Sequence, residues 1–418
     1  MSTITRADQV MTQVKESESS DFYSFEPREN TFDNATDIVC LSHLRWDFVY
    51  QRPQHLLSRC ARERRVFFFE EPLFTPGAVP TLDVRMRENG VCIVTPRLAE
   101  GLSDSEIQEA QQILIKDLFR ECDIRDHILW YYTPTALTFT RHLEPLAIVY
   151  DCMDELTGFK GAPSNLKQLE AELFAHADVV FTGGRSLYEA KRHSHSNIHA
   201  CPSSIDSDHF GQARLSPPDP ADQVSIAHPR LGFFGVIDER MDCELLAGIA
   251  DARPEWQLIM IGPVVKIDES VLPRRSNIHY LGGKGYDELP RYIAGWDAAL
   301  LLFAHNESTR FISPTKTPEY LAAGKPVIST SILDVVSPYG EMGLVRVADG
   351  VKDFVAAIEA ALNEDARSPE WLERVDRFLA KESWDSTWLR MMRLMDSAIG
   401  ARTDETVTTK PSVANASA

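Results

Sequence analysis

The 418-residue chain has no apolar run approaching the roughly 20 residues that a membrane-crossing helix requires; its densest, Ala298–Ala304, has the length of a buried strand. It also lacks basic excess. A formal net charge of −19 argues against general nucleic-acid binding, while leaving room for a local basic pocket. The seven cysteines contain no Cys-x-x-Cys pair, which makes zinc a poor expectation. Cys40, Cys92 and Cys152 fall inside apolar stretches, as reduced core residues of a cytosolic protein do. Residues 1–20 are polar and acidic, with no basic segment followed by an apolar one, so they do not read as a signal peptide.

What is present is the composition of a soluble globular protein, with 44% hydrophobic and 25% charged residues, in a chain long enough for two domains. Residues 1–35 and 402–418 are poor in large apolar groups and read as disordered tails. Between them, short apolar runs recur with helical patterns such as Pro53–Glu63 and Asp104–Phe119. The first series of strands is Ile38–Ser42, Val66–Glu70, Val91–Thr95, Ile128–Tyr132, Ala147–Asp151, Val179–Thr182 and Ile198–Cys201. A proline-rich link near Pro217–Asp222 interrupts it, and a second series follows at Leu231–Val236, Gln257–Ile261, Ile278–Leu281, Ala298–Phe303, Val327–Thr330 and Leu344–Val347. This rhythm predicts an α/β protein of two doubly wound, Rossmann-like domains, over 36–212 and 225–380, joined by a linker at 213–224. Ligands of such sheets bind at the carboxyl ends of the strands, so the cleft between the domains is the expected site.

The stretch Ser313–Thr330 is the most informative. Ser313 is a plausible N-cap with Pro314 at the first helical position, and Gly324 ends the helix before the next strand. Lys316 and Glu319, three apart, share a face. The free N–H groups of a helix start and the charge of Lys316 favour a diphosphate, and Glu319 one turn deeper could accept hydrogen bonds from ribose hydroxyls. Ser313 and Thr315 belong to the same candidate donor-binding group. A surface ion pair between Lys316 and Glu319 is the alternative.

Other loops after strands carry candidates. Arg240 follows the strand containing Gly232 and Gly235, and a guanidinium fork suits a diphosphate; its alternative is a partner for Asp238, Glu239 or Asp242. Lys266 is a further candidate for the same anion, or simply solvated. Gly282 and Gly283, in Gly282-Gly-Lys-Gly285, would let a flat nucleobase approach the backbone, although a turn without a ligand has the same signature. After the first strand, Ser42–Pro53 presents His43, Arg45, Trp46, Asp47 and Arg52 as acceptor-binding candidates, with Phe48 expected in the core. Tyr150-Asp-Cys-Met-Asp-Glu155 ends another strand in carboxylates, of which Asp154 or Asp151 could serve as a base, Asp151 having a structural cap as its alternative. His193, His195 and His199 resemble a metal tract but lack acidic or cysteine partners and read as a solvated helix end. Thr182–Ser186 fits both an anion cradle and a tight turn before a helix.

Taken in order, these segments resemble the GT-B glycosyltransferases, in particular the family-4-like group. Pro314–Val327 is similar to the donor-binding segment of that family, Cys201–Phe210 to the segment closing its first domain, and Leu231–Arg240 to the glycine-bearing strand that opens the donor domain. Ser383–Trp388 is similar to the helix that returns to brace the first domain, here expected over 381–401. The resemblance implies transfer of a sugar from a nucleotide diphosphate donor, expected to be UDP-linked, to a glycan, lipid-linked or small-molecule acceptor. No resident cofactor or metal is implied, and Arg240 and Lys316 would hold the diphosphate. The implied setting is cytoplasmic polysaccharide biosynthesis for the cell envelope, with weak peripheral attachment to the inner face of the plasma membrane as a further expectation.

One position departs from the pattern. The family commonly carries an acid eight residues before the ribose glutamate, and here that position is Phe311; Glu307 is the nearest acid and a candidate catalytic residue in its place. Retention and inversion both stay open on this reading. Two rival functions also remain: a nucleotide-sugar epimerase of the same fold, and a non-catalytic nucleotide-sugar-binding subunit.

Overall fold

A computed structural model describes residues 36–363 and 368–408, with side chains described as far as Arg402. Residues 1–35 and 409–418, read above as tails, lie outside the described residues. The remainder builds two sheets.

The first domain contains β1 (Asp37–Leu41), β2 (Val66–Phe69), β3 (Leu73–Thr75), β4 (Thr81–Met86), β5 (Val91–Ala99), β6 (His127–Tyr131), β7 (Ala147–Cys152), β8 (Val179–Thr182) and β9 (Ile198–Ala200). Its strand order is β3-β5-β2-β1-β6-β7-β8-β9, with β4 on β5 as the antiparallel member. The short β3 and the half-exposed β4 carry little apolar signal and went unread in the sequence. The second domain contains β10 (Arg230–Phe234), β11 (Gln257–Ile261), β12 (Ile278–Gly282), β13 (Ala298–Leu301), β14 (Val327–Ser329) and β15 (Arg346–Val347), in the all-parallel order β12-β11-β10-β13-β14-β15. Both sheets reverse strand order once, between β1 and β6 and between β10 and β13, and those switch points open a crevice at the carboxyl ends.

Each sheet is covered on both faces because successive side chains alternate sides. In β1, Ile38 and Cys40 join one apolar cluster while Val39 and Leu41 join the other. The first of these clusters is completed from the far end of the chain. The helix Trp384–Thr408 returns to the first domain and buries Trp384, Trp388, Met391 and Met395 at helical spacing. Full burial of such side chains is worth about 1.5–3 kcal/mol each, which fixes the chain end to a domain it left long before. The helix also continues past 401, the boundary expected from composition, to Thr408.

The linker is not loose. Gln223 is fully buried, donating to the Tyr292 carbonyl at 3.0 Å and accepting from Trp296 Nε1 at 3.0 Å. Arg230 meets Asp219 at 2.6 Å, so the proline-rich segment is docked on the second sheet.

Candidate functional site between the two sheets

At the second switch point the loops after β10 and β13 are joined by a bridge between Met241 and Phe303 and by the Ala304 N–H on the Arg240 carbonyl at 2.8 Å. Into this junction runs Lys316. A Cβ on Gly235 would stand 2.0 Å from Lys316 Cε, and a Cβ on Gly262 would stand 1.8 Å from the Gly235 carbonyl oxygen. Both glycines also hold positive φ, +139° and +146°, so glycine at each position is what admits the lysine. Lys316 Nζ comes to rest 5.9 Å from the centre of the Phe233 ring.

The helix itself is Lys316–Ala322 with Thr315 as its N-cap residue, two positions later than the Ser313 cap expected from Pro314. Thr315 accepts from the Glu319 N–H through its carbonyl at 3.4 Å rather than through a side-chain cap. Ser313 lies at the domain boundary, where a Cβ on Gly184 of the first domain would come within 2.8 Å of its own Cβ. Burial draws Lys316 down from its ordinary pKa and pushes Glu319 up, the opposite charge of each working against the shift of the other. They are not a surface ion pair.

Arg240 is held by Asp238, a buried carboxylate that takes Nε at 3.0 Å and Nη2 at 2.7 Å. The alternative partner foreseen for it is therefore real, and the fork that would meet a diphosphate is already half engaged. Its outer face covers Phe159 of the first domain, 5.6 Å from the ring centre, and Lys266 covers the same ring at 5.4 Å. Gly282 and Gly283 leave open space before the backbone, with only Pro263 Cδ at 3.9 Å from a Cβ on Gly283.

From the first domain three carboxylates end β7, and two of them are occupied. Asp151 is fully buried and takes Arg52 at 3.1, 3.0 and 2.9 Å, while Arg52 also donates to the Cys201 carbonyl at 2.7 Å. Asp151 as a base and Arg52 as an acceptor ligand are thus corrected: each has the other as its partner. Glu155 is tied to Lys191 at 2.8 Å, and Lys191 to Glu170 at 2.8 Å. Of the three, the Asp154 carboxylate alone makes no hydrogen bond or ion pair among the described residues, its carbonyl accepting from Cys152 Sγ at 3.7 Å. Burial raises its pKa, and the charges that act on it include Arg240, Asp238 and Lys316 of the second domain.

The remaining acceptor candidates divide. His43 faces the cleft with its Nδ1 buried and unpartnered, and burial, aided by the charge of Lys266, lowers its pKa to about 4. Arg45 is taken by Glu70 at 3.2 Å and the Pro72 carbonyl at 3.2 Å. Trp46 is corrected: it is buried in the core, edge-on to Phe68 at 5.0 Å, whereas Phe48, expected inside, is exposed. Apolar area in β2 claims the larger ring. Asp47 is exposed and paired with Arg87. Glu307 is exposed and its carboxylate lies 3.8 Å from Arg310. Phe311, where the family pattern has its acid, packs against the first domain's apolar cluster around Val39 and Leu41.

The discounted turn Thr182–Ser186 does cradle an anion, and the anion is internal. Asp334 of the second domain accepts from the N–H groups of Arg185 at 2.9 Å and Ser186 at 2.8 Å. Of the histidine tract, His193 is exposed, while His195 meets the Ala177 carbonyl at 2.9 Å and His199 the Asn197 side chain at 2.7 Å. Among the described residues no group of three or more His, Cys, Asp or Glu is placed to hold a metal, and no helix is long and apolar enough to cross a membrane. Two cavities, of 370 and 280 Å³, lie apart from Lys316 and Glu319; the larger is between Arg185 and Arg390, the smaller beside His305 and Glu307. Sequence reasoning missed Phe159, although Gly158-Phe-Lys-Gly161 after the acidic cluster was legible as an aromatic on a flexible turn; nothing local marks Asp334.

Residues 228–364 match the family model described as glycosyl transferases group 1. The chain is 23% identical over 288 residues to Bacillus subtilis TuaH, named as a teichuronic acid biosynthesis glycosyltransferase, covering 63% of this chain and 70% of that one. Among solved structures, sucrose-phosphate synthase from Thermosynechococcus elongatus superposes with a TM-score of 0.64 at 15% identity, over 88% of this chain and 100% of that chain. Anabaena HepE, in complex with UDP and glucose, gives 0.62 at 13% identity, over 87% and 100%. A trehalose-6-phosphate structure from E. coli bound with UDP-2-fluoro glucose gives 0.62 at 12% identity, over 86% and 98%. At such identities these structures establish the shared GT-B fold.

Proposed function

We propose that this glycosyltransferase, whose second domain belongs to the group 1 family and whose fold is GT-B, moves a sugar from a UDP-sugar to a hydroxyl of a glycan or lipid-linked acceptor, with inversion. The observation that carries the reading is the Lys316–Glu319 face at the switch point, with Glu319 buried and Lys316 half-buried, opposed across the cleft by the unpaired carboxylate of Asp154. Lys316 and Arg240 take up the charge that develops on the diphosphate as its bond to the sugar breaks and the electron pair stays with the leaving group. Glu319 accepts from the ribose. Asp154, its pKa raised by burial, receives the acceptor proton while the acceptor oxygen bonds to the anomeric carbon. The UDP identity is supported by the bound nucleotides of the Anabaena and E. coli structures, and an envelope polysaccharide acceptor by the name of the Bacillus relative.

A cytoplasmic setting accords with seven free cysteines, six of them buried. Peripheral membrane attachment would follow from a lipid-linked acceptor, since no described helix is long and apolar enough to cross a membrane. Isothermal titration with UDP-, GDP- and ADP-sugars tests the donor reading, with UDP-sugars expected to bind tightest; the absence of binding by every nucleotide sugar would remove it. The anomeric configuration of the transferred sugar, read by NMR, tests inversion.

A further inference from the structure

Tyr286 has no role in the site described so far. It begins the short turn Tyr286–Glu288, directly after the glycine segment Gly282–Gly285. Its ring stacks on His209 at 4.2 Å with 7° between planes and on Tyr50 at 4.4 Å with 27°. Two rings at such distances must occupy opposite faces, so the phenol is clamped, and Phe210 meets it edge-on at 5.6 Å. His209 is itself fixed, by Nε2 against the Tyr286 carbonyl at 3.1 Å and by its N–H on Asp206 at 3.1 Å.

The tip of this clamped side chain is unsatisfied. Tyr286 Oη is buried and has no hydrogen-bond partner among the described residues, and the same holds for Glu319 Oε2. After burial itself, the charge of Glu319 is the strongest influence on the Tyr286 hydroxyl, so the two groups lie within electrostatic reach without bonding each other. Leaving a buried polar group unmatched costs about 1–3 kcal/mol. One orphan donates and the other accepts. Neighbouring hydroxyls that each donate and accept, as in the vicinal diol of a ribose, satisfy both at once.

We infer that Tyr286 is a specificity-determining residue of the donor site, its O–H donating to one ribose hydroxyl oxygen while Glu319 Oε2 accepts from the diol. The inference rests on the donor reading above. It also brings the first domain into nucleotide recognition, since Tyr50 supports one face of the ring that reads the ribose.

The test is isothermal titration of the full chain with UDP, 2′-deoxy-UDP and 3′-deoxy-UDP. The wild-type protein is expected to bind UDP at least tenfold tighter than one of the deoxynucleotides. Tyr286→Phe keeps both stacks and removes only the hydroxyl; it is expected to weaken UDP about tenfold, the loss of one hydrogen bond of ordinary strength, and to erase that discrimination. Lys316→Ala should weaken all three nucleotides in proportion, leaving the ratio intact. Wild-type affinity and wild-type discrimination in Tyr286→Phe overturn the inference and leave the donor reading standing. A wild-type protein that binds no UDP overturns both.

Discussion

Arg52 and Asp151, separated by 99 positions, form an ion pair that is almost completely shielded from water, with the Arg52 Nη2 to Asp151 Oδ1 distance 2.9 Å. Arg52 opens the helix Arg52–Cys60 behind the first strand's loop, and Asp151 is the penultimate residue of β7. The pair therefore connects the loop that carries His43 to the loop that carries Asp154. Its guanidinium also reaches the Cys201 carbonyl and Met391 Sδ at 3.7 Å, so four separate segments meet on one side chain.

Breaking such a pair leaves one buried charge without compensation, which typically costs about 3–5 kcal/mol. Arg52→Met and Asp151→Asn are both expected to lower the unfolding free energy by that order, measured by denaturant titration. Arg52→Met combined with Asp151→Leu should recover much of the loss. UDP affinity of the folded protein is expected to change little in any of them, which separates a structural pair from a catalytic one.

Asp154→Asn keeps the shape of the site and removes the base. Sugar transfer is expected to fall about 10²–10⁴-fold, the usual worth of general-base catalysis. The dissociation constant for UDP should stay within a few-fold of wild type. Equal losses in transfer and in UDP affinity would assign Asp154 to donor binding instead.

Gly235→Ala tests the passage of Lys316. The new methyl would stand 2.0 Å from Lys316 Cε at a φ of +139°, so either the lysine leaves its course or the end of β10 shifts. A loss of about 1–3 kcal/mol is expected from the backbone strain, together with weaker UDP binding. Lys316→Ala in the Gly235→Ala background should restore part of the stability and none of the affinity, a coupling that thermal and titration measurements on the double variant resolve.

The protein's acid limit has an identifiable contributor. His55 is buried and stacked on Trp384 at 4.4 Å, and burial lowers its pKa from about 6.5 to about 3. The native state then binds fewer protons than the unfolded chain between those values, so this stability is complete above pH 6.5 and is lost as the pH falls toward 3. Raised carboxyl groups such as Asp154 and Glu319 act with the opposite sign. His55→Phe retains a stacking ring without the titration, so the unfolding free energy of the variant should fall less steeply, by up to about 1.4 kcal/mol per pH unit within the window. Matching acid limbs for both proteins would assign the sensitivity elsewhere, His43 being the next candidate.

The alternation of buried strands made the two sheets readable, since runs such as Val179–Thr182 and Gln257–Ile261 are apolar on both faces and have the right length. Lys316 and Glu319 were readable for a similar reason: helical spacing fixes a shared face whatever the exact start of the helix. What spacing does not convey is which groups already have partners. Asp151 and Asp154 are three residues apart in one acidic cluster, and the difference between them lies in Arg52, which approaches from the start of a helix 99 positions earlier. Trp46 and Phe48 were interchanged for a related reason, because either ring suits a sugar or a core, and only the position of Phe68 decides. Asp334 gave no signal at all, its partners being backbone N–H groups in the other domain.

That last contact sets a condition on turnover. A Cβ on Gly184 would lie 2.4 Å from Asp334 Oδ2, so the turn before Arg185 and Ser186 is shaped for this carboxylate, and the same turn borders Ser313 just ahead of the helix Lys316–Ala322. The two domains are thereby fastened beside the start of the helix Lys316–Ala322. Any widening of the cleft has to undo this catch of one side chain on two amides together with the Tyr50–Tyr286 stack and the cover of Arg240 and Lys266 over Phe159.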